Sequence, residues 1–202
     1  MSQNRAVVLG LTGGSGAGKG EAAKVFAELG ALVIDGDTLA HQLMASSQPC
    51  FDEVRTVFGD NILTDGEIDR KKLGSIVFSD KEKLAILSGI VHRYVRKATA
   101  MEIAANTLDY SAIVFDGAAL FEAGMDDMCD YVVGIFADED TRLRRILGRD
   151  GVSEQTARAR IGSQMSQEDL LRRVDFVIYN NDGIDKFRDK VQAMYAKATA
   201  HK

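Results

Sequence analysis

Residues 13–19 read Gly-Gly-Ser-Gly-Ala-Gly-Lys, a G-x-x-x-x-G-K pattern set between the apolar run Ala6-Val7-Val8-Leu9-Gly10-Leu11 and a segment with helical periodicity. No other feature constrains the fold as much. Glycines let a backbone turn tightly enough for successive N–H groups to face one anion. A following helix adds its positive dipole end, and Lys19 adds a full charge for the outer phosphates of a nucleotide. Gly13, Gly14, Ser15, Gly16, Ala17, Gly18 and Lys19, with Gly20 and Glu21, are therefore the expected nucleotide-binding set. The dinucleotide pattern G-x-G-x-x-G does not fit, because counting from Gly14 and Gly16 puts its third glycine at Lys19. Where such loops usually give magnesium a Ser or Thr hydroxyl, this chain has Gly20. Mg2+ is therefore expected to be held by phosphates and water, with Asp35 a further candidate ligand. Glu21 is placed for a metal-bound water or, as an acid in a first helical turn, for solvent.

The run before the loop is continuous rather than alternating, as in the buried strands of parallel sheets. Four more runs share that character, at 31–34, 112–115, 131–136 and 176–179. Helical patterns separate them. One carries Ala22, Val25, Phe26 and Leu29 and ends at Gly30. Residues 38–110 read as amphipathic helices with turns between, with Leu84, Leu87, Val91, Tyr94, Ala98 and Met101 in one long stripe. Helices are predicted over about 138–149 and 154–165, and a last one carries Phe187, Val191, Met194 and Ala198. This alternation predicts an α/β fold with a five-stranded parallel sheet and helices on both faces. Ligands of such sheets sit at the carboxyl ends of strands, where the glycine loop, Asp35, Asp37, Asp116 and Asn180 fall.

With 202 residues, 46% of them hydrophobic and one proline, the chain suits one compact body with insertions. A net charge of −5 argues against a nucleic-acid partner. Cys50 and Cys129 have neither metal-site nor disulfide-framework spacing, which fits the reducing cytoplasm. No apolar run is long enough for a membrane span, so no membrane partner is expected.

Further short stretches follow the loop in a fixed order. They are Leu11-Thr12-Gly13-Gly14; Val33-Ile34-Asp35-Gly36-Asp37 with Ala40; Gly66 with Ile68-Asp69-Arg70 and Leu73; Val77-Phe78; His92, Val95 and Arg96; Leu120-Phe121-Glu122 with Gly124; Leu143, Arg145, Arg149-Asp150 and Gln164; and Asp175-Phe176-Val177-Ile178 with Asn180. In this order the chain resembles the dephospho-CoA kinases, P-loop kinases akin to the nucleoside-monophosphate kinases, over about residues 7–185. The resemblance implies transfer of a phosphoryl group from ATP, with Mg2+, to the ribose 3′-hydroxyl of dephospho-CoA, the last step of coenzyme A synthesis. It implies ATP and dephospho-CoA as small-molecule partners and a monomer or weak homo-oligomer. Residues 1–40, 111–150 and 171–202 would form the core, 41–110 a helical acceptor-binding region and 151–170 a helical lid that excludes water.

Roles follow for particular residues. A sugar hydroxyl must be oriented and relieved of a proton, and Asp37 is the candidate for that work, although an Asp-x-Asp step after a strand also suits a helix cap. Lys19 and Arg145 are the other candidate catalytic groups. Arg145 and Arg149 stand four apart on one helix, a spacing that lets arginines close over a transferring phosphoryl group. Asn180 is a candidate for adenine, and Arg70, His92 and Arg96 for the acceptor. Besides Gly20, the chain departs from the family at Arg93 for proline, Ala118-Ala119 for Pro-Leu, Arg142 for glutamine, and a longer step through Asn181-Asp182-Gly183. Two other readings stay open, a nucleoside-monophosphate kinase and a nucleotide-binding regulator without turnover. A phosphate acceptor needs arginines more than a base, so Asp35-Gly36-Asp37 favours a hydroxyl.

Overall fold

Val7–Thr12 forms strand β1, buried at all six positions, and lies in the middle of a five-stranded sheet. The structure is a computed structural model describing residues 5–200. It divides into two compact units, one built from residues up to 34 and from 103 onward, the other from 35–102.

In the first unit β1 leads through the glycine loop into α1 (Lys19–Glu28) and then β2 (Leu32–Asp35), whose last residue opens the second unit. The second unit holds α2 (Gly36–Leu43), α3 (Pro49–Phe58), the two-residue strands β3 (Leu63–Thr64) and β4 (Glu67–Ile68), α4 (Arg70–Val77) and most of α5 (Lys81–Asn106). The chain then returns through β5 (Ala112–Asp116), β6 (Tyr131–Phe136), α6 (Glu139–Asp150), α7 (Glu154–Gly162), α8 (Gln167–Leu171), β7 (Phe176–Tyr179) and α9 (Ile184–Thr199).

The sheet order is β2-β5-β1-β6-β7, and β1 pairs in parallel with both β5 and β6. The five expected strands are those found, each within a residue of its predicted bounds. On one face Leu9, Leu11, Val114, Val133, Ile135 and Ile178 meet Val25 and Phe26 of α1 and Phe187, Val191 and Tyr195 of α9. On the other, residues 117–130 close so tightly over the sheet that a Cβ at Gly10 would stand 2.6 Å from Leu120 Cδ1.

The second unit has a core of its own, in which Cys50, Val54, Ile62, Leu73, Val77 and Ile90 pack together. Glu53 of α3 accepts hydrogen bonds from Arg93 and from the Tyr94 hydroxyl on α5, so the arginine that replaces the family's proline ties two helices. Between β3 and β4 the chain turns at Asp65 (φ 52°) and Gly66 (φ 83°), both left-handed as a two-residue hairpin requires. The purely helical reading of 38–110 overlooked this hairpin, although Asp-Gly is its usual signal. Of the stripe expected on α5, Leu87, Val91 and Tyr94 pack partly buried against the core of this unit beside Ile90, while Leu84 and Met101 at its ends are exposed, Met101 at 64%. A strict seven-residue repeat drifts around a straight α-helix, so its two ends leave the buried face.

The region read as a helical lid contains two helices, α7 and α8. The second, α8, starts at Ser166, whose Oγ accepts from the Asp169 N–H and donates to its carboxylate. Among the described residues no helix is long and apolar enough to cross a membrane.

Candidate nucleotide-binding site

The loop leaves β1 with Gly13 at φ 149°, Gly16 at 78° and Gly18 at 111°. L-residues avoid these torsions, and space forbids side chains as well. A Cβ at Gly13 would lie 2.5 Å from the Ile135 carbonyl oxygen, and one at Gly16 2.6 Å from that of Arg142. Gly18 precedes α1 and gives it no side-chain cap; its carbonyl takes the Glu21 and Ala22 N–H groups, which leaves those of Lys19 and Gly20 to an anion.

Lys19 Nζ lies 2.7 Å from Oδ1 of Asp116. The register sets this up: Leu11 of β1 stands opposite Asp116, so the last residue of β5 lies beside the start of the loop. The sequence reading placed Asp116 at a strand end but gave it no part in the site.

Two residues expected at the nucleotide, Arg145 and Asn180, hold the loop backbone. Arg145 Nη1 donates to the carbonyls of Gly16 and Ala17, both at 3.3 Å, and its Nη2 donates to the backbone oxygen and Oδ1 of Asn180. Asn180 Nδ2 donates to the Ala17 carbonyl at 2.8 Å. Each end of its amide is thus tied once to the loop or its support, with one N–H and one lone pair remaining. Burial, then the neighbouring Arg144, lowers the pKa of Arg145 from the ordinary arginine value. Arg149, on the same helix, chelates Asp150 at 2.6 and 3.0 Å and contacts no loop residue. Glu21 takes an ion pair at 2.5 Å from Arg188 of α9, a tie between helices rather than a group open to a metal-bound water.

Sequence reasoning missed a second support. Ser15 N–H donates to Gln164 Oε1 at 2.9 Å, and Gln164 Nε2 donates back to Ser15 Oγ at 3.1 Å. Arg142 joins them, its Nε on the Ser15 carbonyl at 2.9 Å and its Nη2 on Gln164 Oε1 at 3.2 Å.

Asp35, Asp37, Arg70, His92 and Arg96 belong to the 35–102 unit. Asp35 is the N-cap of α2, with Oδ1 accepting from Thr38 N–H at 2.7 Å. Asp37 is exposed in the first turn and has no side-chain partner among the described residues. Arg70 begins α4, is exposed, and lines an open cavity of about 410 Å³ with His41, Met44 and Glu67. His92 and Arg96 lie half-buried four residues apart on α5.

Among the described residues no three His, Cys, Asp or Glu side chains group to hold a metal. Lys19 and the loop N–H groups other than those of Ser15 and Ala17, which donate within the protein, fit phosphate. Magnesium fits as an ion carried on phosphate oxygens and water, with Asp116 the acid nearest the lysine. Cysteine chemistry finds no support, since burial pushes Cys50 up to about 11 and Cys129 up to about 12, and both stay protonated at neutral pH.

A parallel sheet in this order, with a glycine loop and lysine between its central strand and the next helix, defines a P-loop kinase. Comparison with known proteins narrows the class. The family model of dephospho-CoA kinase matches residues 7–186. A dephospho-CoA kinase of Carboxydothermus hydrogenoformans is 37% identical over 194 residues, covering 94% of this chain and 93% of the relative. Among solved structures, a Thermus thermophilus protein superposes with a TM-score of 0.82 at 28% identity, covering 96% of this chain and 98% of its own. Dephospho-CoA kinase from Campylobacter jejuni superposes at 0.71 with 26% identity and the same coverages. The chain belongs to the dephospho-CoA kinase family.

Proposed function

We propose that the protein transfers the γ-phosphoryl group of ATP to the ribose 3′-hydroxyl of dephospho-CoA, forming CoA and ADP in the cytoplasm. The observation that carries this reading is the family match across residues 7–186, which spans both the phosphate loop and the 35–102 unit. The loop N–H groups and α1 take the phosphates of ATP, and Lys19 turns from Asp116 toward the outer ones. Arg145, Asn180 and Gln164 hold the loop backbone in place, which spares reorganisation when charge develops. Bound magnesium supplies charge to the phosphate oxygens. Asp37 orients the 3′-hydroxyl and accepts its proton as the new O–P bond forms and the β,γ-bridging P–O bond breaks. A carboxylate is a weak base, and it suffices where the transition state is loose and the proton leaves late. Arg70, with His92 and Arg96, takes the anionic acceptor.

The test is ADP release from Mg-ATP with dephospho-CoA, AMP, CMP, dTMP or adenosine as acceptor. Dephospho-CoA should give the highest kcat/KM, and Lys19→Ala should remove most of that rate. A nucleoside monophosphate as the better acceptor would overturn the acceptor assignment and leave the fold untouched. ATP bound with no turnover on any acceptor would make the protein a regulator.

A further inference from the structure

Arg142 lies in α6, packs against the phosphate loop and is 5% exposed. Its hydrogen-bond partners are the Ser15 carbonyl and the Gln164 side-chain oxygen, both neutral. No carboxylate stands within ion-pair distance of it among the described residues. Glu139, the acid whose charge reaches it, is exposed and pairs with Arg158 at 3.4 Å. Desolvation lowers its pKa, yet an arginine stays protonated at neutral pH. The guanidinium presses on the loop: a Cβ at Gly14 would stand 2.3 Å from Nη2. A buried charge that meets only neutral acceptors destabilises the protein carrying it. The loop on which Arg142 rests is built to receive an anion.

We propose that Arg142 is a positioning residue whose buried charge finds its counter-ion in the nucleotide phosphates, so that binding in the loop offsets the cost of burying the guanidinium. The inference rests on the phosphate-loop reading above. Arg142 acts through Ser15 and Gln164 and through the field of its charge, which is screened less because the guanidinium is buried. It makes nucleotide affinity depend on a residue of α6 behind the Ser15 carbonyl, and it makes the nucleotide a larger stabiliser of this protein than loop contacts alone would.

The experiment uses the full chain and ADP, which binds without turnover, in wild type, Arg142→Gln and Arg142→Lys. Glutamine keeps a donor for the Ser15 carbonyl and drops the charge; lysine keeps the charge. Arg142→Gln should bind ADP about threefold to tenfold more weakly, with a shallower dependence on salt. Its melting temperature without ADP should equal or exceed that of wild type, and its rise on adding ADP should be smaller. Arg142→Lys should keep the wild-type salt dependence. A merely structural arginine predicts the opposite, a lower melting temperature without ADP and an unchanged ADP affinity, and that result overturns the proposal. An Arg142→Gln chain that does not fold also overturns it, since the protein would then depend on the guanidinium itself. Wild type that fails to bind ADP removes the phosphate-loop reading, a failure distinct from tight ADP binding by both wild type and Arg142→Gln.

Discussion

Lys19 and Asp116 form an ion pair at 2.7 Å, with side chains 20% and 13% exposed, between the first residue of α1 and the last of β5. The phosphate loop therefore shares its lysine with a carboxylate from the neighbouring strand. A phosphate entering the loop competes with that carboxylate for the ammonium, and Asp116 is left with an oxygen for whatever cation accompanies the nucleotide.

Asp116→Asn should separate those two parts. Asparagine keeps the shape and releases the lysine charge. ADP binding without magnesium should tighten by about twofold to fivefold, roughly what a partly exposed ion pair is worth. The magnesium concentration for half-maximal turnover should rise. Titrating ADP without metal, and magnesium during turnover, reads both. An unchanged magnesium requirement would confine Asp116 to its lysine.

Gly20 has open space around it, since a Cβ there meets nothing within 4 Å. Gly20→Ser should therefore be accommodated without strain and should place a hydroxyl where magnesium gains a direct ligand. Turnover with Mg-ATP should stay within about threefold of wild type or rise, with half-saturation at lower magnesium. Serine also favours the helix over glycine by about 0.5 kcal/mol, so the melting temperature should not fall. A tenfold loss of turnover in a well-folded variant would mean that this space is needed by the nucleotide.

The sheet and the loop were legible because their signals are local. Continuous apolar runs mark buried parallel strands, and glycines at fixed spacing mark the phosphate turn. The partners of the site residues were not, because they come from distant parts of the chain. Arg145 and Arg149 were placed correctly on one helix, yet only the tertiary fold turns Arg145 onto the Gly16 and Ala17 carbonyls and Arg149 onto Asp150. Gln164 lies 149 residues from the Ser15 amide it holds, and nothing local announces that contact. Asp116 acquires its role from the sheet order, which puts β5 beside β1. The Asp65-Gly66 turn is the opposite case, a local hairpin signal inside a region whose periodicity is otherwise helical.

Acid should loosen the end of α6. Asp150 accepts from Arg149 and, from α7, from Arg160, and these arginines, Arg149 first, lower its pKa from 3.8 to about 2. A carboxylate with a depressed pKa contributes stability that is full above its unfolded value and is lost as the pH falls through the folded one. That window runs here from about pH 4 down to about pH 2. Asp150→Asn should melt about 1–2 °C below wild type at neutral pH, a small effect because the pair is partly solvated. The difference should close as the pH approaches 2. Melting curves across that range check it, and a constant offset at every pH would assign the loss to packing.

Asp37 gives the sharpest test, because its neighbour already carries the structural work. The cap of α2 is Asp35, which accepts from Thr38 N–H, and Asp37 stands exposed two residues on, in the first turn, without a partner among the described residues. Asp37→Asn keeps the size and one accepting oxygen and loses the charge and the basicity. A group that only orients and deprotonates the acceptor hydroxyl makes little contact with ATP. ATP affinity should therefore hold while kcat falls by about 10²–10⁴, the range for a lost general base. The melting temperature should not move, because no hydrogen bond of the fold is lost. Asp35→Ala supplies the contrast: removing a cap should cost about 1 kcal/mol of stability. A folded Asp37→Asn enzyme at full rate would end the case for Asp37 as the base. A stability loss as large as that of Asp35→Ala would place Asp37 in the helix cap.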